Sequence, residues 1–116
     1  MNYQVTWQGA ELPVRTASVY PSPYRAQGAM EYIQFPWSKA ERLHIHSAIP
    51  VESVVVRPMS AGISACVSDG VIELELDRPV KLSLEINGSA QNNLLVLPEE
   101  GMGAPAPEGA NVICFA

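Results

Sequence analysis

The chain has 116 residues, of which 47% are hydrophobic and 16% charged, and its formal net charge is −5. This length and composition are typical of one domain with its own core, which excludes disorder as the main state. An acidic chain with only seven Lys and Arg residues lacks the positive surface that nucleic-acid binding requires. It also lacks the polybasic segment, or the apolar run of about 20 residues, that would indicate a membrane partner.

The first residues carry no recognisable targeting signal. Met1 to Gln4 leads directly into strand-like sequence, without the charged and then apolar regions of a signal peptide. A chain that begins after a removed signal would look the same, so the localisation is left unknown.

The N-terminal segment predicts a hairpin. Residues 3–8 alternate, with Val5 and Trp7 on one face, which is typical of a half-buried strand. A turn follows, and residues 12–19 form the returning strand. Pro13 has no backbone N–H, so this strand lies at a sheet edge or begins after the proline.

A stiff loop, Tyr20-Pro21-Ser22-Pro23-Tyr24-Arg25, comes next. Two prolines limit its backbone, and it carries two tyrosines and an arginine, side chains that dock a neighbouring domain or stack on a sugar ring. The alternative is an ordinary crossover packed on its own sheet. In the following strand, residues 31–37, alternation places Tyr32 opposite the apolar face. The predicted carbohydrate or interdomain contact residues are Tyr20, Tyr24, Arg25 and Tyr32.

Residues 42–47 form a strand with Arg42, His44 and His46 outward. An H-x-H pair can ligate zinc if a neighbouring strand supplies a third ligand. The sequence has no third histidine, so solvent-facing histidines are the favoured interpretation and no metal site is predicted.

The segment from Val51 to Gly88 has the clearest strand and turn signals. A β-branched run at residues 54–56 predicts a buried strand, and Asp69-Gly70 predicts a hairpin turn. The carboxylates of this segment alternate outward on consecutive strands, as on a solvated sheet face, and not as an acid–base pair of a glycosidase. They are Glu73, Glu75, Asp77 and Glu85. No catalytic residue is predicted.

Two cysteines, Cys66 and Cys114, lie among apolar neighbours, which predicts buried free thiols, with a disulfide between them as the alternative. No CxxC spacing, G-x-S-x-G elbow or phosphate-binding glycine loop is present. The sequence therefore predicts no cofactor.

The pattern as a whole predicts an all-β domain: an antiparallel β-sandwich of about nine or ten short strands, with a barrel as the alternative. Residues 1–97 form the sandwich module. Residues 98–110, rich in proline and glycine, form a linker. Residues 111–116 form a strand that leads to a further domain.

Several motifs together resemble the N-terminal β-sandwich domain of β-helical glycoside hydrolases, of the dextranase-like and polygalacturonase-like kind. They are Arg57-Pro58, Ser60 to Ile63, Asp69-Gly70, Glu85-Ile86-Asn87-Gly88, Leu94 to Pro98 and Asn111 to Phe115. The resemblance implies an accessory module that is not itself catalytic, in a full-length protein that is a glycoside hydrolase. The implied partner is the C-terminal β-helix domain of the same protein, whose first coil the module caps, with polysaccharide as a further candidate partner. The alternatives are a stand-alone carbohydrate-binding module and a generic protein-interaction sandwich.

Overall fold

A computed structural model describes residues 2–21, 28–57, 59, 61–98 and 110–115, and for 17–21, 28–30, 89–92 and 110–115 it describes the backbone only. These residues form strands and turns. The strands are β1 (Tyr3–Trp7), β2 (Ala10–Leu12), β3 (Arg15–Pro21), β4 (Gly28–Gln34), β5 (Glu41–Ser47), β6 (Val54–Arg57), β7 (Ile63–Ser68), β8 (Val71–Leu76), β9 (Leu82–Ile86), β10 (Ser89–Leu97) and β11 (Ala110–Phe115). Within the described ranges, no helix has the length and apolarity to cross a membrane.

The strands form two sheets that enclose one core. The five-stranded sheet has the order β2-β1-β5-β8-β7, and the six-stranded sheet has the order β11-β3-β4-β10-β9-β6. Neighbouring strands are antiparallel, apart from the parallel pair of β10 and β4. The predicted all-β fold with two antiparallel-dominated sheets is confirmed.

Three hairpins use the same two-residue turn. In each, a polar residue and the following glycine both have positive φ, as in Asp69 (52°) and Gly70 (77°). Gln8-Gly9 and Asn87-Gly88 repeat this pattern. A turn with two positive φ angles matches the right-handed twist of paired strands. The turns predicted after the first strand and at Asp69-Gly70 are confirmed.

Pro13 separates two strands that the sequence predicts as one. The predicted strand 12–19 is divided into β2 and β3, which belong to different sheets. Because proline has no N–H to continue the β1–β2 ladder, pairing stops at Leu12 and the chain crosses to the other sheet.

The core follows the alternation that the sequence predicts. In β5, Leu43 and Ile45 are buried, whereas Arg42, His44 and His46 are exposed. A row of aromatic rings lies at one end of the core. Phe35 packs between Trp7 and Trp37, with ring centroids 5.0 Å and 4.5 Å apart.

Part of the outer face of the six-stranded sheet is also shielded from solvent. Leu95 in β10 is fully buried, although its register with Ser83 places it opposite the face that carries Leu84. Glu85, predicted to lie on a solvated face, is only 9% exposed, so that prediction is wrong for this residue. Alternation assigns a side chain to a face, but it does not determine whether that face is covered.

Two further predictions differ from what the structure shows. Residues 54–57, expected as a buried strand, form β6 at the edge of the six-stranded sheet. Cys66, expected to be buried, is an exposed free thiol because it shares the outward face of β7 with Ser64 and Ser68. The predicted disulfide alternative is therefore wrong.

The segment predicted to lead out of the module supplies β11, which pairs with β3 within the six-stranded sheet. The strand expected here is thus present, and its described part belongs to the sandwich. The division into module, linker and further domain stays a prediction.

A buried carboxylate secures the start of the chain. Glu31, 8% exposed, accepts hydrogen bonds from the backbone N–H groups of Asn2 (2.8 Å) and Tyr3 (3.2 Å). Tyr3 is itself 5% exposed. Burial, and secondarily the Glu31 charge, raises the pKa of the Tyr3 phenol from 10.0 to about 12.

This raised pKa predicts a loss of stability in strong base. Between pH 10 and 12 the folded protein keeps the phenol proton that the unfolded chain has lost. The stabilisation is complete below pH 10 and is lost as the pH rises through 12; we expect a loss of about 3 kcal/mol. Urea unfolding at stepped pH should show this decrease. In Tyr3→Phe, which has no phenol to titrate, the decrease should be smaller; an identical decrease would contradict the assignment.

Candidate functional site

The predicted contact residues divide into those that the structure describes and those that it does not. Tyr24 and Arg25 lie outside the described residues. Tyr20 and Pro21, predicted to begin a loop, belong to β3, and for Tyr20 only the backbone is described. Contact by these three residues therefore stays a prediction.

Tyr32 is described, and its ring is not the exposed platform expected of it. The residue is 4% exposed and lies on the outer face of β4, level with Leu95 of the parallel strand β10. It lines a small cavity of about 220 Å³ with Pro13, Arg15, Gln34, Phe35 and Pro36. Ligand sites usually measure about 300–1,000 Å³. The expected exposure of Tyr32 is thus wrong, and its ring cannot stack on a sugar in this conformation.

The outer face of the five-stranded sheet carries a group of charged side chains. Arg42 lies between two carboxylates of β8, with Nε 3.2 Å from Glu73 Oε1 and Nη2 2.7 Å from Glu75 Oε1. His44 Nε2 lies 3.9 Å from the same Glu73 oxygen. The side chain of Arg42 is 58% exposed, and ion pairs this open to water contribute about 0–1 kcal/mol.

A cleft of about 420 Å³ adjoins this charged face, and its three carboxylates already have partners. Glu41 accepts a hydrogen bond from Trp7 Nε1 at 2.9 Å. Glu75 pairs with Arg42, and Asp77 Oδ1 lies 2.6 Å from Arg78 Nη1. Residues 2–21, 28–57 and 61–98 contain no group of three metal-ligating side chains. This arrangement is that of a solvated sheet face with internal ion pairs.

Two of the motifs behind the family resemblance contact each other in space. Arg57, at the end of β6, pairs with Glu85 of β9, with Nε 3.2 Å from Oε2. The Glu85 side chain is 11% exposed, whereas that of Arg57 is 55% exposed. This ion pair therefore joins the largely buried carboxylate of Glu85 to the guanidinium of Arg57, which remains partly exposed to water.

Asn87, in the turn after β9, connects this region to the segment before β6. Its side-chain oxygen accepts hydrogen bonds from the N–H groups of Glu52 (2.7 Å) and Ser53 (3.3 Å). Its side-chain nitrogen donates to the carbonyl of Pro50 at 2.8 Å, and its backbone N–H donates to the carbonyl of Ser53 at 2.9 Å. The Asn87 side chain thus holds in place a segment that lies more than 30 positions earlier in the sequence.

Gly62 lies in the turn before β7, with φ +85°, and a Cβ at this position would overlap the carboxylate of Asp77. Arg78, which pairs with Asp77, also donates from Nη1 to the carbonyl of Ala61 at 2.8 Å. The contacts of Arg57, Asn87 and Gly62 therefore stabilise turns and strand ends.

The other feature of this region is an apolar cleft of about 540 Å³ between the edge strands β6 and β7. Met59, at its rim, is 84% exposed. The lining residues are Val54, Val55, Val56, Met59, Ala61, Ile63, Ser64 and Ala65. Sequence reasoning missed this cleft, although the uncharged run from Ile63 to Ser68 between charged strands was a visible signal.

No protein-family model matches the chain. A search of curated proteins found no significant match.

Proposed function

We propose that this chain is a non-catalytic β-sandwich module of a polysaccharide-acting protein of the β-helical glycoside hydrolase type. The proposal rests on the sequence resemblance. The observation that supports it best is the structural role of the motif residues: Arg57 pairs with Glu85, and Asn87 holds the segment that precedes β6. These contacts are structural, which is consistent with a non-catalytic role.

The module caps the first coil of the β-helix domain and helps to shape one wall of its substrate groove. An open coil of a β-helix exposes unpaired backbone and apolar side chains, and a covering domain protects them from aggregation. The proposed contact residues are Tyr20, in β3, together with Tyr24 and Arg25.

The experiment that tests the proposal measures the size and activity of the protein in its source. An antibody against this chain should detect, on a denaturing gel, a polypeptide well above 12.5 kDa. The purified protein should release reducing sugar from a polysaccharide, and the isolated chain should release none. A source polypeptide of 12.5 kDa would exclude the module.

The alternative, a stand-alone carbohydrate-binding module, makes a different prediction. Calorimetric titration of the isolated chain with dextran, pectin and pullulan oligosaccharides at about millimolar concentration detects dissociation constants near 1 mM. We expect no binding heat, because Tyr32 is buried and Trp7 and Trp37 pack against Phe35. Saturable binding would support the alternative.

A further inference from the structure

β7 is an edge strand of the five-stranded sheet. Among the residues that the structure describes, only one of its sides is paired, to β8. Because the turn at residues 69–70 has two residues, Ser68 and Val71 form a hydrogen-bonded pair. Non-hydrogen-bonded and hydrogen-bonded pairs then alternate along the ladder between β7 and β8. Ser64 and Cys66 therefore direct their backbone groups to β8, whereas Ile63, Ala65 and Val67 direct theirs away from the sheet.

This edge lacks the usual protection against pairing with another chain. Native edge strands are commonly very short, charged, bulged or interrupted by proline. β2, the opposite edge of the sheet, has three residues, includes Glu11 and is followed by Pro13. β7 has six residues without charge or proline, and its register with β8 is uninterrupted.

We propose that β7 is the contact strand of a homodimer in which the β7 strands of two copies pair antiparallel about a two-fold axis. With the axis at Ala65, Ile63 of one copy lies opposite Val67 of the other. All three residues with free backbone groups then find hydrogen-bonded partners, and the two five-stranded sheets become continuous. This self-complementarity makes a second copy the occupant, and no further domain is needed.

Charge does not oppose this pairing. The strand itself is neutral, so like charges do not meet along it.

The apolar cleft adds buried area. Because β6 and β7 line it together, pairing of the β7 strands brings the clefts of the two copies side by side, with Met59 at each rim. A six-residue strand is only about 20 Å long, so the contact is smaller than a standard interface of about 1,200–2,000 Å². The dimer should therefore be weak and should depend on concentration.

Sedimentation equilibrium tests the dimer. Between about 10 μM and 1 mM the mass should rise from 12.5 kDa toward twice that value. Ala65→Pro removes an outward N–H while leaving the ladder to β8 intact, and should weaken association about tenfold or more, since two hydrogen bonds are lost per dimer. Ala65→Ser retains the N–H and should match the wild type. A constant 12.5 kDa mass, or equal dimerisation of Ala65→Pro, would overturn the proposal.

Disulfide trapping tests the register independently of that variant. Ser64→Cys places a thiol opposite Cys66 of the second copy in a non-hydrogen-bonded pair, where Cα atoms are about 4.5 Å apart and a disulfide can form. A glutathione redox buffer should then yield a covalent dimer on a non-reducing gel. The new cysteine of Ser68→Cys would face Gly62 of the second copy, which has no thiol. This variant should therefore remain monomeric on that gel. Absence of cross-linking in Ser64→Cys, or equal cross-linking of both variants, would reject the proposed pairing.

Discussion

Replacing Asn87 by alanine should lower the free energy of unfolding by about 2–3 kcal/mol, measured by urea denaturation. Two effects add. The side chain makes three hydrogen bonds to the segment before β6, with Glu52, Ser53 and Pro50. The backbone has φ 58°, which asparagine tolerates and alanine does not.

Two matched variants separate these effects. Asn87→Gly removes the hydrogen bonds but accepts the positive φ, so it should cost about 1 kcal/mol less than alanine. Asn87→Asp keeps the acceptor for Glu52 and Ser53 but loses the donor to Pro50, and it should be less destabilising than alanine. Equal stability of Asn87→Ala and the wild type would contradict a structural role for this motif.

Gly62→Ala should destabilise the protein by about 2 kcal/mol through a combination of strain and overlap. The position has φ +85°, and the added Cβ would overlap the carboxylate of Asp77. Displacing that carboxylate also disturbs its ion pair with Arg78, which holds the carbonyl of Ala61.

Gly70→Ala is the matched control for this prediction. Gly70 has nearly the same φ, +77°, but a Cβ added there would meet no atom within 4 Å, so only the backbone strain of about 1 kcal/mol should remain. Adding Asp77→Ala to Gly62→Ala should recover part of the loss, because the overlap is removed. If Gly62→Ala and Gly70→Ala are equally stable, the contact with Asp77 has no energetic consequence.

Turns and strand faces were predictable because their signals are local. Asp69-Gly70 forms a hairpin because both residues adopt positive φ. The in–out pattern of β8, with Ile72, Leu74 and Leu76 buried, follows from the two-residue period of a strand.

The candidate surfaces were predicted less well because burial depends on neighbours that are distant in sequence. Tyr32 and Glu85 lie on the outward side of their strands as expected, yet both are buried. Cys66 has apolar sequence neighbours, but alternation along β7 directs it outward. Apolar composition around a residue indicates a strand, and the register of that strand determines what its side chain contacts.

By itself, the sequence determined the all-β class, the hairpin turns and most of the core, because alternation and turn chemistry act within a few residues. The tertiary structure alone decided which strands became edges, that β4 and β10 run parallel, and that Pro13 sends the chain to the second sheet. It also brought Arg57 to Glu85 and placed β7 at the edge of its sheet beside the apolar cleft. These features depend on pairing between distant segments, which no local pattern encodes.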